Sequence, residues 1–332
     1  MTSKSYLVTG GCGFIGAALV QRLVRAGHRV RVLDNQSRGS ARRLNTVADD
    51  IEFIQADVRD RDAVSRAMMG AESVCHLAFV NGTRFFYEQP ELVLDVGVKG
   101  MVNVLDACIE RGVGELVLAS SSEVYQTPPK VPTDETAPLS IPDPHNPRYS
   151  YAAGKIISEI MAINFGRKYF QRVIIFRPHN VYGPDMGWEH VIPQFVLRMK
   201  SFTERENAPG EELIQFPIQG TGQETRAFVF IEDFIDGLSL LLERGEHLGI
   251  YNIGNPEEVT IAELARLVAE YFGRKVAVIP GQAATGSAPR RCPDITKLSA
   301  LGYRPRYSLR EGLSVTARWY DENAHLAPGG GY

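Results

Sequence analysis

The run Tyr6-Leu7-Val8-Thr9-Gly10-Gly11-Cys12-Gly13-Phe14-Ile15-Gly16 reads as a short apolar strand, a glycine turn and the first turn of a helix. Leu19, Val20, Leu23 and Val24 continue the helical spacing, Gly27 stops it, and Val30-Arg31-Val32-Leu33 makes a second strand. Gly10, Gly13 and Gly16 each stand where a side chain would obstruct. The chain must turn sharply, a pyrophosphate must approach the backbone, and the helix must pack tightly on the strand. The N–H groups of the turn, with those of Phe14 and Ile15 at the helix start, then bind the anion. Asp34 closes the second strand, with Asn35 beside it. A carboxylate there accepts hydrogen bonds from the adenosine 2′- and 3′-hydroxyls and repels a 2′-phosphate, which favours NAD over NADP. Arg38 argues the other way, but Asp34 holds the more telling position. Asp57 and Val58, after the third strand, are placed to meet the adenine edge. The alternative reading is a tight turn, a helix-capping Asp34 and a turn-forming Asp57.

Outward from this unit, strands are expected at Ile51–Ile54, Val74–Leu77, Leu116–Ser120 and Val173–Phe176, with helices near 60–69, 91–111 and 149–168. Six strands joined by helical crossovers describe an α/β fold, a Rossmann-type doubly wound parallel sheet that binds ligands at the carboxyl ends of its strands. From about residue 178 the rhythm breaks. Residues 200–213 are polar and read as a surface loop, Phe228–Ile231, Ile250–Ile253 and Val276–Ile279 read as strands, and Thr260 to Glu263 has capping-box spacing. The expected organisation is a dinucleotide-binding domain over 1–178 and a smaller α/β substrate-binding lobe over 179–325. Some segments of that lobe return to the main sheet, and 326–332 form a loose tail.

The whole-chain numbers set limits. With 332 residues, 44% hydrophobic and 23% charged, the chain can bury a real core. Lys plus Arg (36) nearly balance Asp plus Glu (39), so no overall field recruits nucleic acid or an anionic membrane. Cys12, Cys75, Cys108 and Cys292 form no CxxC pair, which argues against a disulfide framework or a zinc site. No apolar run approaches the ~18 residues of a membrane span. The N-terminus reaches glycine too soon for a signal peptide's apolar region. A cytoplasmic protein without a metal is the expectation.

Tyr151-Ala152-Ala153-Gly154-Lys155 places a phenol and an ammonium on one helix face. A phenol titrates near ~10 in isolation, and an adjacent Lys⁺ or oxidised nicotinamide favours its phenolate, the form needed for a base at neutral pH. Tyr125 and Tyr149 lack a Lys four residues on. Ser120-Ser121-Ser122-Glu123 ends the fifth strand, where a doubly wound sheet binds its ligand, and one of these hydroxyls can share the substrate hydroxyl with Tyr151. A solvated helix face and a serine-rich capping turn are the bland readings of these two segments.

TGGCGFIG (9–16), DNQSRG (34–39), HLA (76–78), SSSEVY (120–125), YAAGK (151–155) and RPHNVYGP (177–184) together resemble the extended short-chain dehydrogenase/reductases that modify nucleotide sugars. The likeness runs from about residue 5 to 320. It implies an NAD-dependent enzyme with Ser121, Tyr151 and Lys155 as its catalytic triad and Asp34 as its ribose-binding acid. Leu77, Ala78 and Phe79 would line the cofactor. Asn180 would lie beside the sugar diphosphate, with Arg226, Arg290 and Arg291 pairing with its phosphates, a task that suits guanidinium forks. A homodimer through the helices near 91–111 and 149–168 is also implied. The sequence departs from the family's pattern at Gly97, where asparagine is usual, and in Asn81–Tyr87, the segment that carries Thr83 toward the sugar pocket.

The shared first step of such enzymes is oxidation of a sugar hydroxyl, most often at C4. The leading expectation is a nucleotide-sugar epimerase acting through a 4-keto sugar. Glu123 after Ser121-Ser122 keeps a 4,6-dehydratase in view, with Glu123 as base, and decarboxylases also carry Glu there. Ile156 stands where decarboxylases carry Arg, and Pro293-Asp294-Ile295-Thr296-Lys297 resembles epimerases and decarboxylases more than dehydratases. A net 4-dehydrogenase and a non-catalytic NAD-binding regulator complete the alternatives.

Overall fold

The computed structural model describes residues 3–205, 213–282 and 288–327. In its first half strands and helices alternate: β1 (Ser5–Thr9), α1 (Phe14–Arg25), β2 (Arg29–Asp34), β3 (Ile51–Gln55), α2 (Arg61–Ala67), β4 (Ser73–His76), α3 (Thr83–Glu88), α4 (Pro90–Leu94), α5 (Gly100–Arg111), β5 (Glu115–Ala119), α6 (Ser150–Tyr169) and β6 (Arg172–Pro178). The helix expected near 91–111 is interrupted by a wider, π-type turn over Asp95–Lys99. β7 (Val181–Tyr182), α7 (Val191–Arg205), β8 (Ile214–Pro217), β9 (Thr225–Ala227), β10 (Val229–Phe230), α8 (Ile231–Arg244), β11 (Gly249–Ile253), β12 (Glu258–Thr260), α9 (Ile261–Tyr271), β13 (Val276–Ile279), β14 (Arg290–Arg291), α10 (Thr296–Ala300) and α11 (Leu309–Glu322) follow.

The central sheet is parallel, in the order β11-β6-β5-β4-β1-β2-β3. It has seven strands rather than six, because β11 comes back from the second half to pair with β6. Every residue of β4 and β5 is buried, as expected of parallel strands covered on both faces. Neighbouring residues serve opposite cores: Val8, Ile174 and Phe176 pack with α1 and α8, while Leu7, Val173 and Ile175 pack with α2, α5 and α6. A third core joins α7, α9 and α11 through Phe195, Val196, Leu264, Leu313 and Tyr320. This arrangement leaves the carboxyl ends of β1, β2, β4, β5 and β6 facing one cleft.

Three expectations need correction. Residues 200–205 are helix, not loop: Ile192, Phe195, Val196, Met199 and Phe202 keep helical spacing through position 200 and pack on the third core, and this periodicity outweighs the polar composition. Residues 206–212 lie outside the described residues. The strand expected over Phe228–Ile231 contracts to β10, since Ile231 opens α8. Of the tail, Leu326 still belongs to a helical turn, Ala324–Leu326, and 328–332 lie outside the described residues. Thr260 does cap α9 by accepting from the Glu263 N–H (3.0 Å), yet the reciprocal capping box is at Ser308 and Glu311, ahead of α11. Among the described residues no helix is long and apolar enough to cross a membrane.

Candidate active site

The glycine turn is as tight as its sequence implies. Gly10 has φ +72°, and a Cβ there would lie 2.7 Å from the Ala78 nitrogen. A Cβ on Gly16 would lie 2.1 Å from the Gly10 carbonyl oxygen, so only glycine lets α1 pack on β1 this closely. Gly13 is the N-cap of α1 and offers no side chain to its first turn, which faces a cleft lined also by Phe14 and Ile15. An uncapped helix start behind a glycine turn suits a pyrophosphate.

Asp34, buried at the end of β2, accepts from the Cys12 N–H (2.9 Å) and the Gln36 N–H (2.6 Å). It therefore holds the glycine turn in place and also lines a side groove with Asn35, Asp57, Val58, Leu77 and Ala78. Asp57 is not a free acceptor. It takes hydrogen bonds from Asn35 (2.9 Å) and Arg59 (3.0 and 2.8 Å), and those from Arg59 are the main reason its carboxyl is held down to about 2.

The groove opens into a cavity of about 420 Å³ reached by Ser121, Ser122, Glu123, Tyr151 and Lys155. The three serines part company. Ser120 turns into the core and donates to Glu159. Ser121 caps the turn after β5, accepting from the Glu123 N–H (3.2 Å), and lies close enough to Tyr151 to ease the charging of its phenol. Ser122 is buried against the cavity. The Tyr151 ring is held by Phe79 edge-on (centroids 5.1 Å, 82°) and by Phe86 stacked on it (5.0 Å, 24°).

Lys155 donates to the Ala119 carbonyl (2.7 Å) and lies 4.0 Å from the centroid of the Phe79 ring. Burial pulls its ammonium down to about 7, opposed by the Glu159 charge. The expected lowering of the phenol is not found in the protein alone. Burial pushes the Tyr151 phenol up, the nearby Ser121 hydroxyl only partly offsets this, and the Lys155 ammonium is aimed at a carbonyl and a ring face instead of the phenol oxygen.

Glu123 pairs with Arg291, with one contact of 2.9 Å. Burial is the largest influence on this carboxyl and raises it, but Arg291, Arg148 and Arg226 together prevail and hold it below the usual range. Thr83, at the start of α3, also lines the cavity. Asn180 lines it too, while its amide donates to the Ala227 carbonyl (2.9 Å) and fastens the following turn.

Arg226 does not reach the cavity lining, although burial, then Arg291, pull its guanidinium down to about 10. Arg290 is a correction. It lies outside the cleft and binds Glu258 (2.6 to 3.0 Å), because adjacent strand residues point to opposite faces and Arg291 takes the inner one. Sequence reasoning missed Arg148, Phe86 and the Arg38–Glu189 pair (3.7 Å) at the cavity. Only Arg148 gave a signal, three residues ahead of Tyr151.

A family model described as NAD dependent epimerase/dehydratase matches residues 6–254. The chain is 31% identical to a dTDP-4-dehydro-6-deoxy-D-allose reductase of Streptomyces bikiniensis, covering 96% of each chain. It is 32% identical to UDP-glucuronic acid decarboxylase 2 of Arabidopsis thaliana over 94% of this chain and 67% of that one. Its fold superposes on the UDP-glucose 4-epimerase of Thermus thermophilus, solved with NAD, at a TM-score of 0.82 and 30% identity, covering 95% and 98% of the two chains. Relatives named for three different reactions match most of the chain's length, and the chain belongs with them to the NAD-dependent epimerase/dehydratase family of sugar-modifying enzymes.

Proposed function

We propose that the protein is a nucleotide-sugar epimerase that oxidises its substrate at C4 and reduces it again on the opposite face. NAD, when bound, supplies the hydride acceptor. Gly10, Gly13 and Gly16 with the start of α1 hold its pyrophosphate, and Asp34 holds the adenosine ribose. Tyr151 exchanges a proton with the C4 hydroxyl, Ser121 orients that hydroxyl, and Lys155 supplies positive charge beside them. Thr83, Asn180 and Arg291 contact the nucleotide sugar from the cavity wall, and Arg226 acts from behind Arg291. The cofactor domain ends near residue 178 and the substrate lobe occupies the rest. The exposed apolar residues Leu94, Val102, Ile157 and Ile160, on α4, α5 and α6, would pair two copies.

The observation that carries epimerisation over elimination is the state of the cavity's carboxylates. Glu123 is tied to Arg291 and Glu189 to Arg38, and the residue before Glu123 is Ser122, which is no acid at neutral pH. Removing water from C5–C6 needs a separate acid and base, whereas inversion at C4 needs one proton relay and a hydride that leaves and returns. A second reading has its own observation: Arg148 and Arg291 place more guanidinium than carboxylate charge around Glu123, which suits a sugar carboxylate and hence decarboxylation.

Product mass and NMR separate these. With NAD and a panel of UDP- and dTDP-hexoses and uronates, a C4 epimer of unchanged mass is expected. Loss of one water or one carbon dioxide would replace the reading with dehydratase or decarboxylase, a stable keto sugar with NADH would indicate net dehydrogenation, and no change across the panel would leave a regulator. Tyr151→Phe should lower kcat by at least ~100-fold and keep NAD bound; near-normal turnover would remove Tyr151 from its role.

A further inference from the structure

Three glycine and aromatic positions far apart in sequence meet behind Tyr151. A Cβ on Gly97 would lie 2.3 Å from the Phe79 Cζ, and one on Gly154 would lie 2.9 Å from the same atom. The Phe79 ring is thus seated in a slot that exists only because both helices lack a side chain there. Gly97 sits in the wide turn Asp95–Lys99, and widened turns of this kind are often found at functional sites. The ring's face lies under the Lys155 ammonium (4.0 Å to the centroid), and the ring meets Tyr151 in a T-shaped contact (centroids 5.1 Å).

We propose that Phe79, seated on Gly97 and Gly154, is a positioning residue for the reaction, holding the Lys155 ammonium on its face and the Tyr151 ring in a T-shaped contact. The inference rests on the reading of Tyr151 and Lys155 as the proton-transfer pair. It explains Gly97: an aromatic ring takes the space that a side chain at this position would fill. A buried ammonium needs compensation, and a ring face supplies it without a proton acceptor. The other groups around Lys155 are few. Tyr151 and Glu159 flank it on α6, His76 faces it from β4 and is kept neutral by burial, β5 offers the Ala119 carbonyl, and Arg177 on β6 stands behind Glu159. Within this set the Phe79 ring stabilises the ammonium without accepting a hydrogen bond from it.

The test is Phe79→Leu, which keeps apolar bulk and removes the π face, in the NAD-containing enzyme. Loss of the face disfavours the charged form, so the Lys155 titration, followed by NMR on isotopically labelled lysine, should move down by about one pH unit. The alkaline limb of kcat should move with it, and kcat should fall about tenfold while KM for the nucleotide sugar changes less than about threefold. Gly97→Ala drives a methyl into the ring and should reproduce these kinetics with a lower Tm. Adding Phe79→Leu to Gly97→Ala relieves the clash, so the double variant should regain Tm and not kcat. If Phe79→Leu fails to fold, Phe79→Met takes its place. An unchanged Lys155 titration and an unchanged kcat limb, with Tm alone lowered, would reduce Phe79 to packing. The NMR titration does not depend on turnover, so failure of the Tyr151 role would show separately, as activity surviving in Tyr151→Phe.

Discussion

Two carboxylate–guanidinium pairs flank the serine run after β5, and they are built differently. In the first, Glu159 and Arg177 are each 2% exposed. Arg177 donates to both Glu159 oxygens (2.8 and 2.6 Å), to the Tyr125 hydroxyl (2.7 Å) and to the Glu135 carbonyl (3.2 Å), and Ser120 adds a bond to Glu159. That pair is closed on itself. In the second, Glu123 and Arg291 face the cavity at 23% and 11% exposure. The Nε atoms of Arg291 and nearby Arg148 are buried without a hydrogen-bond partner, and Arg226 adds further positive charge. The same chemistry therefore serves a sealed strut in one place and an anion-seeking wall in the other. What separates them is whether the donors are used up, not the charge pair itself.

The sealed pair should give the largest effect when broken. Arg177→Met strands Glu159 in a dry core, and breaking such a pair costs about 3–5 kcal/mol. Tm should drop by several degrees, and the double variant Arg177→Met with Glu159→Met should recover much of the loss, because well-packed apolar residues often replace a buried pair at little cost. Calorimetry on Arg177→Met, Glu159→Met and the double variant decides it. Single variants that melt with the parent would show that the pair is not a strut.

The cavity pair should respond more mildly. Glu123→Gln keeps the shape and one hydrogen bond, so a loss of about 1–2 kcal/mol is expected. Because the Glu123 carboxyl is held below its ordinary 4.5, its contribution is present above that value and disappears as pH falls through the lower folded value. The parent should lose this margin below about pH 4.5, and the Gln variant should show no such loss, a difference read from paired melts across acid pH. An epimerase should keep kcat within about tenfold in this variant, whereas a reaction using Glu123 as a base should fall by at least ~100-fold.

The contrast also marks how far the sequence could be read. The glycine turn and its neighbouring acid are legible because their geometry is local: Gly10, Gly13 and Gly16 lie within one turn, and Asp34 ends the very next strand. Tyr151 and Lys155 are legible for the same reason, being one helical turn apart. The cavity wall is assembled from Thr83, Glu123 and Arg148 of the first half and from Asn180 and Arg291 of the second, residues far apart in sequence. Ser121 could be singled out from Ser120 by family likeness but not by physics, since the two hydroxyls diverge only when Glu159 is in place to accept from one of them. Phe86 was hidden in a stretch whose helix, α3, carries little pattern of its own. Residues 200–205 show the reverse error, where polar composition masked a helical period that the third core rewards.

Arg290 and Arg291 give the smallest expected effect and the sharpest form of the contrast. The two are consecutive in sequence, are both arginine, and are both paired with a glutamate, yet β14 sends them to opposite sides. Arg290 is half exposed on Glu258, where solvent screens the pair and leaves it little net worth. Arg290→Ala should leave Tm within about a degree of the parent and KM for the nucleotide sugar within about twofold. Arg291→Ala, by contrast, removes the partner of Glu123 and a donor facing the cavity, and KM should rise by about tenfold or more. Steady-state kinetics on the two variants side by side checks the pattern. A rise in KM for Arg290→Ala matching that for Arg291→Ala would mean that the outer arginine also meets the substrate, and strand alternation would no longer explain which of the two belongs to the site.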